Sequence, residues 1–173
     1  MNFSIIFFKK LGKKKPQIIP VSTDEDNLSM WKEKIKEAEE NGIIIVHCSD
    51  EGDERFSGIG CKLYEDRDNP KNYDLCYFAN NKSFRKPINS KYVPIDNRTT
   101  ADYTGENDYA FWADGGLSWG APYLAGVIAL GFQVNPNLEE KEIYQYLRET
   151  GTPFNGGFIV NPKAFIKKVN ELE

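Results

Sequence analysis

The sequence has 173 residues, of which 40% are hydrophobic and 28% are charged, and its formal net charge at pH 7 is −4. This length suits one domain, residues 1–173, with a sizeable core, and the composition is that of an ordinary globular protein. The acidic balance argues against nucleic acid as a partner. We expect no membrane interaction either, because Met1–Phe8 is apolar over too few residues for a signal peptide or a membrane span.

The cysteines and the single histidine indicate no disulfide framework and no metal site. Cys48, Cys61 and Cys76 are odd in number and widely spaced, and no C-x-x-C motif is present. A site made of His47 and the three cysteines is conceivable, but the spacing does not favour it. We therefore expect reduced thiols in a cytoplasmic protein, with no metal and no cofactor.

The first third of the chain predicts a strand–helix–strand unit. Phe3–Phe8 and Gln17–Val21 are rich in Ile, Phe and Val and are typical of strands. A helix is expected to begin near Asn27 or Ser29 and to end near Glu40, with Gly42 as the stop signal. Ile43–Val46 is a continuous apolar run, as in a strand covered on both faces, so a right-handed parallel crossover is predicted.

The rest of the chain predicts loops followed by helices. From Cys48 to Trp112 periodicity fades, and only short strands near Leu75–Phe78 and Tyr92–Ile95 are expected. Asn137 and Glu140 form a capping pair for a helix that ends near Gly151. A short strand at Phe158–Val160 and a last helix that starts at Asn161-Pro162 complete the prediction.

Residues 115–130 are the most informative segment. Ser118 follows Gly115 and Gly116, and Pro122 opens an apolar run that predicts a buried helix. Backbone N–H groups at a helix N-terminus are unpaired, and they suit a developing oxyanion. Two other interpretations are a helix cap and a G-x-S-x-G elbow; the elbow requires a histidine after the serine, and none follows.

This segment resembles the nucleophile segment of the subtilases, the subtilisin-like serine proteases, which have Gly-Thr-Ser, three variable residues and Pro before a buried helix. Here Leu117 replaces the usual threonine, while the spacing from Ser118 to Pro122 is kept. The resemblance extends over roughly residues 16–170. It implies an α/β fold with a largely parallel sheet and helices on both faces, like the C-terminal part of the subtilisin fold. It also implies peptide-bond hydrolysis through a serine acyl-enzyme, with Ser118 as the nucleophile.

The resemblance also implies an oxyanion and substrate region made of Asp50, Gly116 and Ser22. Asp50 falls where the family has the asparagine that completes the oxyanion hole. An ionised carboxylate only accepts hydrogen bonds, so Asp50 would have to be protonated or turned away. The strand edge around Ser22 would pair with an extended peptide.

The aspartate and histidine motifs of the family are absent from this sequence. A serine needs a base to act as a nucleophile, so we expect the chain to be inactive alone. Two explanations remain open. The chain is a fragment of a serine endopeptidase whose partners are a peptide or protein substrate and a missing N-terminal part, or it is a degenerate homologue that binds proteins or peptides without catalysis.

Overall fold

The computed structural model describes residues 18–22, 28–48, 56–76 and 90–171. The predicted strand at Phe3–Phe8 lies outside these residues. The strands within these ranges are β1 (Ile18–Val21), β2 (Ile44–His47), β3 (Phe56–Cys61), β4 (Tyr73–Leu75), β5 (Lys91–Asp96), β6 (Arg98–Ala101), β7 (Tyr109–Trp112), β8 (Thr152–Phe154) and β9 (Gly157–Ile159). The α-helices of the same described part of the chain are α1 (Leu28–Glu40), α2 (Leu117–Val134), α3 (Glu140–Thr150) and α4 (Pro162–Asn170).

The strand–helix–strand unit at the start of the described chain is confirmed. β1 and β2 pair in parallel and are joined through α1, which ends before Gly42. Gly42 has φ +70°, a left-handed conformation that glycine adopts without strain and that ends a helix.

The prediction of a largely parallel sheet is wrong. The main sheet is mixed, with five strands in the order β4-β3-β5-β9-β8, and β1-β2 and β6-β7 form two small separate sheets. β3, β5 and β9 are parallel, whereas β4 and β8 run antiparallel to their neighbours. The physical reason is the length of the connections, since short links between neighbouring strands allow only antiparallel pairing.

The expectation of helices on both faces is also wrong for the described sheet. Side chains of β5 alternate, so that Val93 and Ile95 join the main core with α2, α3 and α4. Tyr92 points the other way into a small cluster with Ile59 and Ile159, to which no described helix contributes.

α2 is the central helix of the core, but only one of its faces is buried. The buried residues are Gly120, Ala121, Leu124, Ala125, Val127, Ile128 and Gly131. The opposite face is exposed, which corrects the expectation of a helix buried on all sides. By length and composition alone α2 could cross a membrane, with a mean hydropathy of 1.3 over 18 residues, but its packing against β1, β5 and α4 accounts for its apolar face.

The start of α3 differs from the predicted capping pair. The N-cap is Glu139, and its backbone N–H donates to Oε2 of Glu142 at 2.8 Å. Asn137 lies before the helix, where its N–H donates to Oδ1 of Asn135. Leu138, directly before the N-cap, is buried in the core, and the helix begins only after it, later than predicted. The start of α4 is confirmed, with Asn161 as its N-cap and Pro162 as its first residue.

Candidate functional site

A glycine turn between β7 and α2 positions Ser118. The N–H of Gly115 donates to Oδ1 of Asp96 at 2.7 Å, and this bond is buried. A Cβ at residue 115 would overlap the carbonyl oxygen of Ile95, so only glycine lets the turn approach β5 this closely. Gly116 is the N-cap of α2, with extended backbone and no side chain to cap the helix.

Ser118 is exposed in the first turn of α2. Its hydroxyl has no hydrogen-bond partner among the described residues. A Cβ added at Gly116 would lie 3.2 Å from Oγ of Ser118, so Gly116 and the serine hydroxyl, which were predicted to share one site, are close together. The first N–H groups of a helix have no intrahelical acceptor, which leaves donors beside this hydroxyl. The arrangement can therefore present a nucleophile and oxyanion donors at one point of the surface.

A groove of about 450 Å³, here called the hairpin groove, lies between α2 and the β6-β7 hairpin. Its wall includes Trp112 of β7 and Trp119, Pro122 and Tyr123 of α2. The two indole rings meet edge to face, with centroids 5.6 Å apart. Because residues four apart lie on one face of a helix, Ser118 lies one turn before Pro122 on the same face of α2, although Ser118 itself does not line the groove.

A second cavity of about 600 Å³, here called the basic cavity, adjoins the hairpin groove. Its lining includes the cationic side chains of Arg67, Arg98 and Lys163. Arg98 and Tyr123 line both spaces. Nη1 of Arg98 donates to the carbonyl oxygen of Pro94 at 3.1 Å, and its guanidinium carbon lies 5.2 Å from the centre of the Tyr123 ring.

Burial shifts the pKa values of the phenols in the basic cavity further above the neutral range. Burial raises the pKa of Tyr123, and the Arg98 charge opposes this in part. Burial also raises the pKa of Tyr73, whose hydroxyl donates to the carbonyl oxygen of Arg67 at 3.0 Å. These phenols therefore act as hydrogen-bond donors at neutral pH.

The other predicted site residues are placed as follows. Ser22 is exposed just after β1, and its side chain is hydrogen-bonded to Cys48, which follows β2. Burial raises the pKa of the Cys48 thiol, and the bond from Ser22 lowers it in part. Gly116 adjoins Ser118, whereas Asp50 lies outside the described residues.

No described group is placed as a base for Ser118. His47 is half-buried at the end of β2, and burial lowers its pKa, as does the nearby Lys91 charge. It is therefore neutral at pH 7, but it makes no hydrogen bond to Ser118. Among the described residues, no three histidine, cysteine or acidic side chains form a cluster that could hold a metal ion. The absence of a cofactor stays a prediction.

Arg98, the aromatic side chains of the hairpin groove and the basic cavity were not predicted from the sequence. The aromatic residues of the run Tyr-Ala-Phe-Trp at 109–112 were a local signal, since aromatic residues are enriched in strands. No sequence pattern relates Arg67 to Lys163, because their closeness depends on the fold.

No protein-family model matches the chain, and no curated protein matches it in sequence. Several solved structures are similar to it, among them two at 15–16% sequence identity. One is the A-subunit of the AB5 toxin from E. coli, with 15% identity and a TM-score of 0.67 over 96% of this chain and 64% of that one. The other is a protease from Pseudoalteromonas arctica PAMC 21717, with 16% identity and a TM-score of 0.57 over 88% of this chain and 51% of that one.

These comparisons correct the assignment to the subtilases. The family assignment does not hold, because no family model supports it and likeness at 15–16% identity shows the fold alone. One of the structures that share the fold is a protease, so a peptidase-like function is compatible with this fold. The chain spans about two thirds and half of the lengths of these two neighbours.

Proposed function

We propose that this chain is a serine-peptidase-like domain that binds an extended peptide in the hairpin groove beside Ser118. It hydrolyses that peptide only when a base reaches Ser118 from outside the described residues. The observation that carries the proposal is the exposed Ser118 at the N-terminus of α2, one turn from the Pro122 wall of an aromatic groove. The protease among the structural neighbours supports it.

The chemistry would be acyl transfer. Ser118 Oγ attacks the peptide carbonyl carbon while a base takes its proton, and the carbonyl oxygen becomes an oxyanion. The backbone N–H groups of Leu117 and Ser118 would donate to that oxyanion, since the N–H of Trp119 already donates to the carbonyl oxygen of Gly116 at 2.9 Å. The amine then leaves with a proton, and water hydrolyses the resulting ester. The base is the missing component, and a further part of a longer assembly is where we would look for it.

The hairpin supplies the binding surface for a peptide backbone. Among the described strands, β6 pairs with β7 alone, so its other edge presents backbone donors and acceptors. An extended peptide can add to such an edge through main-chain hydrogen bonds. Trp112 and Trp119 then offer ring surface for one of its side chains.

A second candidate is a peptide- or protein-binding module without catalysis. The observation that favours it is that no described residue contacts the Ser118 hydroxyl as a base. Both candidates share the groove, and they differ in whether Ser118 ever becomes acylated.

Binding is tested by NMR titration of the full chain with short extended peptides, together with Trp112→Ala. Amides at 115–119 and at Trp112 should shift together, and Trp112→Ala should abolish most of the shift. The control is Phe111→Ala, since Phe111 is half-exposed on the opposite face of β7 and does not line the groove. Shifts confined to residues 56–76 would contradict binding in the hairpin groove.

Catalysis is tested with a fluorophosphonate probe, with Ser118→Ala as the control variant. The chain alone should not label, because a serine without a base is a weak nucleophile at neutral pH. Rapid labelling that Ser118→Ala removes would show that a base is already present.

A further inference from the structure

We infer that the peptide bound in the hairpin groove is recognised by an acidic side chain, which enters the basic cavity and meets Arg67, Arg98 and Lys163. This inference rests on the proposed function and names its substrate class. The continuity of the two spaces is the structural basis. Arg98, Tyr123 and Pro94 line both, so a residue bound at that shared wall can extend its side chain into the cavity.

The cavity carries an excess of positive charge in an acidic chain. Against its three cations stand the carboxylates of Asp68 and Asp96. The Asp96 carboxylate is only 8% exposed, and one of its oxygens already accepts the buried bond from Gly115. Since the whole chain has a net charge of −4, this local reversal of sign singles out an anionic group as the ligand.

Within the described residues, the three cationic side chains have hydrogen-bond donors left for a ligand. Arg98 uses Nη1 on a backbone carbonyl and stacks near Tyr123, which orients the guanidinium without neutralising it. Within the described residues, neither Arg67 nor Lys163 forms an ion pair. Guanidinium groups bind carboxylates through two parallel hydrogen bonds, which favours a glutamate or aspartate side chain.

The loop that carries Arg67 is held in place before any ligand binds. Tyr73 donates to the Arg67 carbonyl, and the Asp68 N–H donates to Oδ1 of Asp66 at 2.9 Å. The side-chain amide of Asn72 donates to the carbonyl oxygen of Asp66 at 3.0 Å. A preorganised loop loses less entropy on binding, which makes it suited to recognition.

The charge arrangement also predicts the type of a second residue of the bound peptide. Asp102 lines the hairpin groove, whereas Arg67 and Lys163 line only the basic cavity. A peptide with its acidic residue in the cavity would therefore place a neutral or basic residue beside Asp102.

The test is calorimetric titration of the full chain with peptides that are acetylated and amidated at their ends and are uncharged apart from the scanned position. They differ only in carrying Glu or Gln at one scanned position. At the best position Glu should bind about tenfold tighter than Gln, and the difference should fall as salt rises. Arg67→Ala and Lys163→Ala should each reduce the preference for Glu and leave the affinity for Gln unchanged. Lys167→Ala is the matched control, because this exposed lysine of α4 does not line the cavity.

A charge reversal separates recognition from a structural role. Arg67→Glu should shift the preference from the Glu peptide towards one with Lys at the same position, which simple loss of folding would not produce. Equal affinity for Glu and Gln peptides at every position overturns the inference and leaves peptide binding intact. Failure of every peptide to bind overturns the proposed function, and the inference with it.

Discussion

At the scale of single residues, the position of Ser118 is decided by its neighbours. Gly115 permits a backbone contact with Ile95 that no Cβ could allow, and Asp96 accepts the N–H of Gly115. Such a buried bond to a carboxylate contributes about 1.5–3 kcal/mol. The serine hydroxyl therefore stands at a well-defined point, although no described residue activates it.

His47 makes the stability of the fold depend on pH. Its pKa is lowered by burial and by the Lys91 charge, so folding disfavours its protonated form. Above about pH 6.5, the pKa of an unperturbed histidine, His47 is neutral in both the folded and the unfolded chain. Its contribution to the free energy of unfolding is then fully present. As the pH falls through 6.5 and then through the lower pKa of the folded state, that contribution is lost. Denaturant unfolding at pH 7.5 and 5.5 should show a smaller difference for His47→Gln than for the wild type; equal differences would contradict this.

At the scale of elements, α2 combines a packed face with an open one. Gly120 faces the core, where an added Cβ would overlap the Phe56 ring and approach Cγ2 of Val93 at 2.8 Å. Gly126 lies in the same helix on the exposed side, and an added Cβ there would have no neighbour within 4 Å. The same residue type thus serves close packing at one position and has no packing role at the other.

These two glycines predict opposite effects of one substitution. Gly120→Ala should lower the free energy of unfolding by about 1–3 kcal/mol, because the core must move to accept the methyl group. Gly126→Ala should raise it by about 0.5–1 kcal/mol, because alanine favours the helix and meets nothing. Chemical denaturation of both variants measures the pair. A similar loss in both would show that the packing of α2 differs from that described.

At the scale of the whole molecule, the larger core cluster joins the β1-β2 pair to the main sheet. Side chains of β2, β5 and the helices α2, α3 and α4 belong to a single cluster, with Leu124 and Ile128 of α2 fully buried in it. Because α2 packs against β1, β2, β3, β5 and α4, loss of its contacts affects both the β1-β2 pair and the main sheet.

We therefore expect the chain to unfold in one cooperative transition. Calorimetry should give equal van't Hoff and calorimetric enthalpies. Leu124→Ala should lower the Tm of the whole transition, with a loss of about 2–5 kcal/mol for a fully buried leucine. Two separate transitions, only one of them sensitive to Leu124→Ala, would contradict the expectation of one domain.

The sequence by itself determined the parts that depend on local signals. Caps, stops and apolar periodicity placed α1, β2 and α4 closely, because these signals act within a few residues of the chain. The strand predicted at Phe158–Val160 corresponds closely to β9, and the turn at Asn155-Gly156, with φ of +43° and +79°, carried a hairpin signal that could also have revealed its partner β8. The strand β3 was missed because its glycines weaken a strand pattern.

Only the tertiary structure decided how these parts combine. Strand order, the mixed sheet and the single helical face result from pairings between distant segments, which local propensity does not specify. The candidate site follows the same division. Ser118 and Gly116 were found from one short motif, whereas Arg67, Arg98 and Lys163 share a cavity only because β6, α4 and the loop before β4 meet there. A charge cluster assembled from three distant segments has no signature in the sequence, since its cause is packing at long range.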